Sequence, residues 1–441
     1  MNKLTCIFGL IIVLLINAVS AQENGRFLKA VELASSGFYK QAQQEFQLIL
    51  KEDPFHKLAT LNLEILTKLQ QGAYRTQIAS DVFTCMKKIS RNEWEQALKV
   101  FEEDNIFVKV DPCVLFCKGY IYYRLGMQDA ALQRFILALK DRPDHPVFLF
   151  YKARALNASD EHQLAIRNYD RLLQLTPNDP EVYATRAESW SAAGNSSNAI
   201  ADYSRAIEID PKYALAYHNR GVEYYSTGKI DSAISDYSQT IQIQNDFAAA
   251  WLNRGLAFIL KENYSDAIRD LKKAVSLDPK NASAWSHLAR AEFRKGQFTS
   301  ALACYEKAIS LAPDQPAHYF AKATMLDSLS RYQEAYNAYK AFTKMISGQD
   351  TLKNHLYKSA KQRLTELRSS RMHLAVILLQ SEATAKSVLT QLENGADFAS
   401  LAGQYSHGPN KESGGDIGTV YPSDLNSELV AAAVSLKVGE I

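Results

Sequence analysis

Few side chains in this 441-residue sequence stand at spacings suited to making or breaking bonds. Cys113 and Cys117 are four apart, which on a helix stacks two thiols on one face, whereas a redox motif needs a two-residue gap. With Cys85 and Cys304 they read as small apolar packing residues, a disulfide or metal role being the alternative. His218 and His287 read as groove or packing residues rather than metal ligands. No nucleophile elbow, metal-ligand cluster or phosphate-cradling glycine loop occurs, so no cofactor is expected and hydrolase or redox chemistry is the remotest class. Four Asn-x-Ser triplets, at Asn157, Asn195, Asn263 and Asn281, matter only in a host that glycosylates exported chains.

Hydrophobic residues make up 47% and charged residues 22%, the balance of an ordinary globular chain. The net charge of +2 comes without any basic block, which leaves no electrostatic reason to expect nucleic acid or an anionic membrane as partner. Residues 1–21 have the form of a secretory leader: Lys3, an apolar run from Cys6 to Ile16, then Val19-Ser20-Ala21 as a small-residue cleavage site. An uncleaved anchor is the alternative. Nothing after residue 21 is long and apolar enough to span a bilayer, so the mature chain is expected to have no transmembrane segment and to be periplasmic or extracellular.

The elements that position everything else announce themselves by a 34-residue period. From Leu115 the step meets Leu149, Tyr183, Tyr217, Trp251, Trp285 and Tyr319. From Gly119 it meets Ala153, Ala187, Gly221, Gly255, Ala289 and Ala323, and from Ala131 an unbroken run of alanines to Ala335. Phe135 leads to Tyr169, Tyr203, Tyr237, Leu271, Tyr305 and Tyr339, and Pro143 to Pro177, Pro211, Asn245, Pro279 and Pro313. A large residue followed four later by Gly or Ala is one face of an amphipathic helix, and the Ala with an aromatic four beyond it is the facing stripe of a second. Small residues at the contact let the two helices close up, aromatics fill the space between pairs, and proline ends the second helix. One pair leaves an apolar face bare, which is why such units come in arrays.

These columns resemble the tetratricopeptide repeat, and the resemblance implies a mainly α chain built as a helical solenoid. Seven units fall in phase over 112–349, starting at 112, 146, 180, 214, 248, 282 and 316. Residues 22–111 hold N-terminal repeat-like helices. One unit there is marked by Ala30, Leu33, Ala42, Phe46 and Pro54, and 60–111 is read as one or two degenerate repeats. First helices of such arrays line a groove, so the partner is expected to be a protein or peptide client. One column of those helices reads Phe150, Ala184, His218, Leu252, Ser286 and Phe320, and a later one Asn157, Ser191, Tyr225, Ile259, Phe293 and Asp327. Of these, Phe150, His218, Tyr225, Leu252, Ile259, Phe293 and Phe320 are the candidate groove residues. The alternative is that Tyr225, Ile259 and Phe293 are buried between repeats. The Lys/Asn clamp by which some family members grip a C-terminal carboxylate is not evident.

Past residue 345 the period fails. Residues 350–370 hold a linker and a Lys/Arg-rich capping helix, Thr351 to Leu367, whose charges are read as solvated. Then Leu374–Leu379 suits a buried strand, Glu382–Leu392 and Asp397–Gln404 suit helices, Ile417–Val420 a strand and Ser427–Leu436 a helix. Residues 371–441 resemble the parvulin family of peptidyl-prolyl isomerases. The resemblance rests on Gly395-Ala396-Asp397-Phe398-Ala399, Leu401-Ala402, Gln404-Tyr405-Ser406, Gly415-Asp416-Ile417-Gly418 and Leu436-Lys437-Val438-Gly439-Glu440-Ile441. It implies a partial α+β domain whose proline pocket includes Leu425 and Leu429. It also places Val376 where the family carries its first active-site His, and the family's Cys or Asp near Gly408; His373 and His407 are the weak substitutes at hand. In parvulins two further strands follow the segment matching Val438 to Ile441, so the sequence is expected to be a fragment of a longer chain, a vestigial domain being the alternative.

Two functions are therefore expected to compete. One is an exported folding factor whose repeats hold a client while a parvulin-like domain isomerises or grips X–Pro segments. The other is a non-catalytic scaffold that assembles an extracytoplasmic complex. On the residues alone binding is favoured over turnover; on the resemblance the isomerase is the natural label.

Overall fold

A computed structural model describes residues 21–101, 111–346 and 355–369 and, beyond them, 372–375, 387–388, 390–391, 398–405 and 416–420. The leader read at 1–21 lies outside the described residues apart from Ala21. Two compact units divide the chain at Asn245 and Asp246.

In the first unit the helices are α1 (Ala21–Ser35), α2 (Tyr39–Glu52), α3 (Lys57–Gln70), α4 (Thr76–Ser90) and α5 (Trp94–Lys99). There follow α6 (Pro112–Arg124), α7 (Gln128–Asp141), α8 (Pro146–Ala158), α9 (His162–Leu175), α10 (Pro180–Ala192), α11 (Ser196–Ile209), α12 (Ala214–Ser226) and α13 (Ile230–Ile243). The second unit holds α14 (Ala248–Leu260), α15 (Tyr264–Leu277), α16 (Ala282–Arg294), α17 (Phe298–Leu311), α18 (Pro316–Ser328), α19 (Tyr332–Ile346) and α20 (His355–Ser369). After them come β1 (Met372–Ala375), α21 (Phe398–Tyr405) and β2 (Asp416–Val420). First helices thus start at 112, 146, 180, 214, 248, 282 and 316, the starts that the period predicts.

The columns show why. An added Cβ on Gly119 would stand 2.8 Å from the Phe135 ring, and one on Gly221 2.8 Å from the Tyr237 ring, so the glycine seats the aromatic of its own second helix. Ala131, Ala165, Ala199, Ala233, Ala267, Ala301 and Ala335 are all fully buried at the same crossings. Each hairpin turns through a left-handed residue at a strict 34-residue spacing: Gly126, Asp160, Gly194, Gly228, Glu262, Gly296 and Ser330. That conformation closes the end of a first helix, and where the residue is not glycine the backbone is strained. Within each unit second helices pack on the following first helix, α7 on α8, α9 on α10 and α11 on α12, then α15 on α16 and α17 on α18.

The degenerate stretch departs from alternation. Helix α4 packs directly on α1 and on α6, and Ala97 and Phe101 are buried, so α4 and the residues after it stand in the repeat place one period before 112. Helix α3 is the supernumerary element: it packs on its sequence neighbours α2 and α4 and also reaches α8.

At the other end α20 packs on α19, and its charges are not simply solvated as expected. Arg363 donates to both carboxylate oxygens of Asp327, at 2.7 and 2.8 Å, and Tyr339 Oη donates to the same group at 3.4 Å. The sequence hid this because Arg363 and Asp327 are 36 residues apart on helices with no shared period. Strands β1 and β2 pair antiparallel, Met372 opposite Val420 and His373 opposite Thr419, with an irregularity before Ala375. Helix α21 buries Leu401 and Ala402.

Candidate client-binding surface

The structure divides the candidate groove residues. Phe150 is fully buried: the Lys57 ammonium lies 4.9 Å from its ring centre, the Arg154 guanidinium 5.7 Å away, and Tyr169 meets it edge-on. His218 is buried against the Tyr237 ring, with Nδ1 3.2 Å from Asn219 Oδ1, and burial pushes its pKa down to about 4. Leu252 and Ile259 belong to the apolar core of the second unit. These four are packing residues, which for His218 and Ile259 is the alternative the sequence left open and for Phe150 and Leu252 departs from the expected groove position. Helical spacing assigns a residue to a face, but only the neighbouring helix decides whether that face is covered.

Tyr225, Phe293 and Phe320 are half-buried and remain candidates. Phe293 packs obliquely on Phe298 and Phe320 on Phe342, while Phe320 meets Tyr339 edge-on. Asp327, from the later column, is taken by Arg363. His287 is also half-buried, and burial, with Arg290 and His318 nearby, pushes its pKa down to about 4. Among the described residues Cys85, Cys113, Cys117 and Cys304 are buried free thiols. Burial pushes Cys113 and Cys304 up to about 12, so neither is a ready nucleophile.

A polar frame beneath this surface escaped the sequence reading. Arg186 donates two hydrogen bonds to Asp202 at 2.7 Å, Arg220 two to Asp236 at 2.8 Å, and Arg254 two to Asp270 at 2.6 and 3.1 Å. Each pair joins the two helices of one hairpin across 16 residues and repeats at the 34-residue period. Arg186 also reaches Asp170 at 2.6 Å and Arg220 reaches Ser204 at 2.9 Å, on the second helix of the preceding hairpin. Forked guanidinium–carboxylate contacts fix direction as well as distance, so Arg186 and Arg220 set how their hairpins stack on the preceding ones. The signal was available: Arg at 186, 220 and 254 and Asp at 202, 236 and 270 are columns as regular as the aromatic ones.

A second polar row lies along the starts of the first helices. Asp111 caps α6, His145 caps α8 and Asp179 caps α10, each accepting backbone N–H bonds of its own first turn. Tyr74 Oη donates to Asp111 at 2.8 Å, and Lys57 Nζ donates to Asp179 at 2.6 Å with Glu181 at 3.2 Å. Glu64 takes Arg142 and His145, the latter at 2.9 Å. His145 Nδ1 accepts from Phe148 N–H, so the neutral ring carries its proton on Nε2 and donates it to Glu64. Burial works to raise the Glu64 pKa, yet the hydrogen bonds from His145 and Lys68 and the Arg142 charge hold it well below the carboxylate range. Burial likewise disfavours a charged Lys57, and Glu181 and Asp179 overcome it. Nearby, burial pushes the Glu188 carboxyl up while Arg154 opposes it.

Of the parvulin-like residues, His373 stands on β1 opposite Thr419. Val376, His407, Gly408, Leu425 and Leu429 lie outside the described residues, as do the strand residues 376–379 and the helix expected over Ser427–Leu436. Among the described residues no group of acidic, Cys and His side chains is placed to hold a metal, and no helix is long and apolar enough to cross a membrane.

The sequence matches the tetratricopeptide repeat family over residues 118–180, 252–316 and 287–349, and TPR repeats over 192–222 and 221–261. Residues 378–441 match the PPIC-type PPIASE domain. Among curated relatives, the foldase protein PrsA of Clostridium kluyveri is 35% identical over 123 residues, 27% of this chain and 36% of the relative. The PrsA foldase of Geobacillus kaustophilus is 46% identical over 66 residues, 15% of this chain and 24% of the relative. The chain thus spans only about a third or less of the length of these relatives. Among solved structures, the C-terminal part of a TPR repeat-containing protein from Cytophaga hutchinsonii is 18% identical, with a TM-score of 0.46, over 56% of this chain and 99% of that one. With its repeat columns, its helical hairpins and its C-terminal match, the chain belongs to the tetratricopeptide-repeat proteins and carries a PPIC-type, parvulin-like domain at its C-terminus.

Proposed function

We propose that this protein is an exported folding factor whose repeats hold a client polypeptide while the parvulin-like domain acts on its X–Pro bonds. The observation that carries the reading is the union in one chain of an array of peptide-sized helical hairpins with a PPIC-type segment akin to the PrsA foldases. Rotation about X–Pro faces a barrier of roughly 20 kcal/mol and requires no covalent bond to form. An apolar pocket that seats the proline ring and favours the twisted, less conjugated amide suffices, and Leu425 and Leu429 are assigned to that pocket by resemblance. Tyr225, Phe293 and Phe320 supply apolar contact to the client, and residues 1–21 direct the chain out of the cytoplasm.

The test is a proline-limited refolding assay with the full-length protein, read as the slow-phase rate against protein concentration. Acceleration of the slow phase, abolished by Leu425→Asp with Leu429→Asp, supports an isomerase. Client capture without acceleration identifies the scaffold reading, in which the C-terminal domain only grips peptide. Export is tested separately by the N-terminal sequence of the secreted protein, expected to begin at Gln22.

A further inference from the structure

Helix α3 packs on its sequence neighbours α2 and α4, and with the residues just after it also meets the starts of three consecutive first helices. Tyr74, just after it, meets the α6 cap; Glu64 meets the α8 cap; Lys57 meets the α10 cap. The caps are spaced by the 34-residue period, whereas their partners are 7 and 10 residues apart. Two turns rise roughly 10 Å, the spacing of packed helices, so α3 itself bridges the α8 and α10 caps, and Tyr74, past the turn that ends it, reaches the third. Between these polar contacts Leu61, Ile65 and Leu66 are buried, and Lys57 covers Phe150, a residue of the groove column. An in-cis helix therefore occupies the first-helix surface on which the repeats were expected to receive a client.

Its interface is not built like permanent core. Lys57 is a buried cation held by carboxylates, and Glu64 is an anion held by Arg142 and His145. Asn62 is fully buried with its Oδ1 unpaired among the described residues. Buried ion pairs give up to desolvation most of what they gain, and an unpaired buried carbonyl opposes burial outright. Apolar residues at these three places would bind more firmly and less selectively.

We propose that α3 is an internal stand-in for a client helix, latched by Lys57 and displaceable from the surface of α8 and α10. The client it stands in for is an amphipathic helix with a cation one turn ahead of its apolar stripe, matching Lys57 before Leu61, Ile65 and Leu66, and an acid at the Glu64 place. Asp179 and Glu181 select the cation and Arg142 the acid. The inference rests on the reading of the repeats as client-binding.

Native-state hydrogen exchange of the full chain, with no client present, tests the latch. Amides 61–70 are expected to exchange at least ~10-fold faster than those of 82–89 and 149–156 on the flanking helices, by an opening of α3 alone. A labelled synthetic peptide of residues 55–72 is then added to wild-type and Lys57→Glu chains. The variant, whose own latch repels Asp179 and Glu181, is expected to bind the peptide at least ~10-fold tighter, and a peptide carrying the same substitution not at all. Exchange of α3 only together with its neighbours would overturn the proposal, as would a variant that melts earlier but takes no peptide. Either result makes α3 fixed core and leaves the client-binding reading standing, because neither measurement uses a client polypeptide.

Discussion

Replacing Arg220 with Met removes the centre of a three-helix junction. Its guanidinium donates twice to Asp236 on α13, once to Ser204 on α11, and lies 5.6 and 5.7 Å from the ring centres of Tyr217 and Tyr224 on its own helix. Asp236 is only 4% exposed, so the substitution strands a carboxylate with little access to water. Stranding one member of a buried pair costs about 3–5 kcal/mol. The reverse change, Asp236→Leu, leaves an arginine that is 18% exposed and still has Ser204 and two rings beside it. That loss is close to an ordinary charged hydrogen bond, about 1.5–3 kcal/mol. The double variant removes both charges and is expected within about 1 kcal/mol of wild type. Urea midpoints of the four chains give a double-mutant cycle with a coupling of at least ~2 kcal/mol. If Arg220→Met cost under about 1 kcal/mol, or the two losses simply added, the pair would be a surface decoration and its role in stacking hairpins would be refuted.

Three further outcomes follow from named residues. His218 has a folded pKa of about 4 against an ordinary value near 6.5, so the unfolded chain binds a proton that the folded one refuses. Its stabilising share is complete above pH 6.5 and is lost as pH falls towards 4, by roughly 3 kcal/mol; His218→Gln should flatten that part of a stability–pH curve, with His287 leaving a residue of the same sign. Glu262 holds the left-handed turn at φ 57° where four sister positions carry glycine, so Glu262→Gly should stabilise by about 1 kcal/mol, seen as a higher melting temperature; a lower one would show that the side chain is needed. Tyr225→Ala combined with Phe293→Ala should weaken capture of an unfolded client at least several-fold with helix content unchanged, and equal capture would remove both residues from the client surface.

How much was legible in advance differs by the range of the interaction. A 34-residue period is a local statement: each column names a contact between helices of one hairpin or its neighbour, and the helix starts, the buried alanines and the glycine–aromatic seats follow from it. The Arg–Asp ladder obeyed the same period and could have been read, since 186, 220 and 254 with 202, 236 and 270 are as regular as any aromatic column. Phe150 and Leu252 were placed on the right face of the right helices, yet face alone does not tell groove from seam. The two C-terminal strands and α21 were placed within a few residues by short-range patterning. The proline-pocket residues came only through the resemblance.

The sequence by itself thus determined the repeat class, the hairpin boundaries, the small-against-large contacts inside each hairpin and the parvulin-like character of the segment after residue 370, because all of these are written in spacings shorter than two repeats. Only the tertiary structure decided that α3 leaves the alternation and, with Tyr74 after it, meets three caps, that Lys57 reaches Asp179 over 122 residues, and that Arg363 closes on Asp327. Such contacts join segments with no common period, and charged side chains find their partners by burial and distance in the folded chain, quantities that no column of the sequence records.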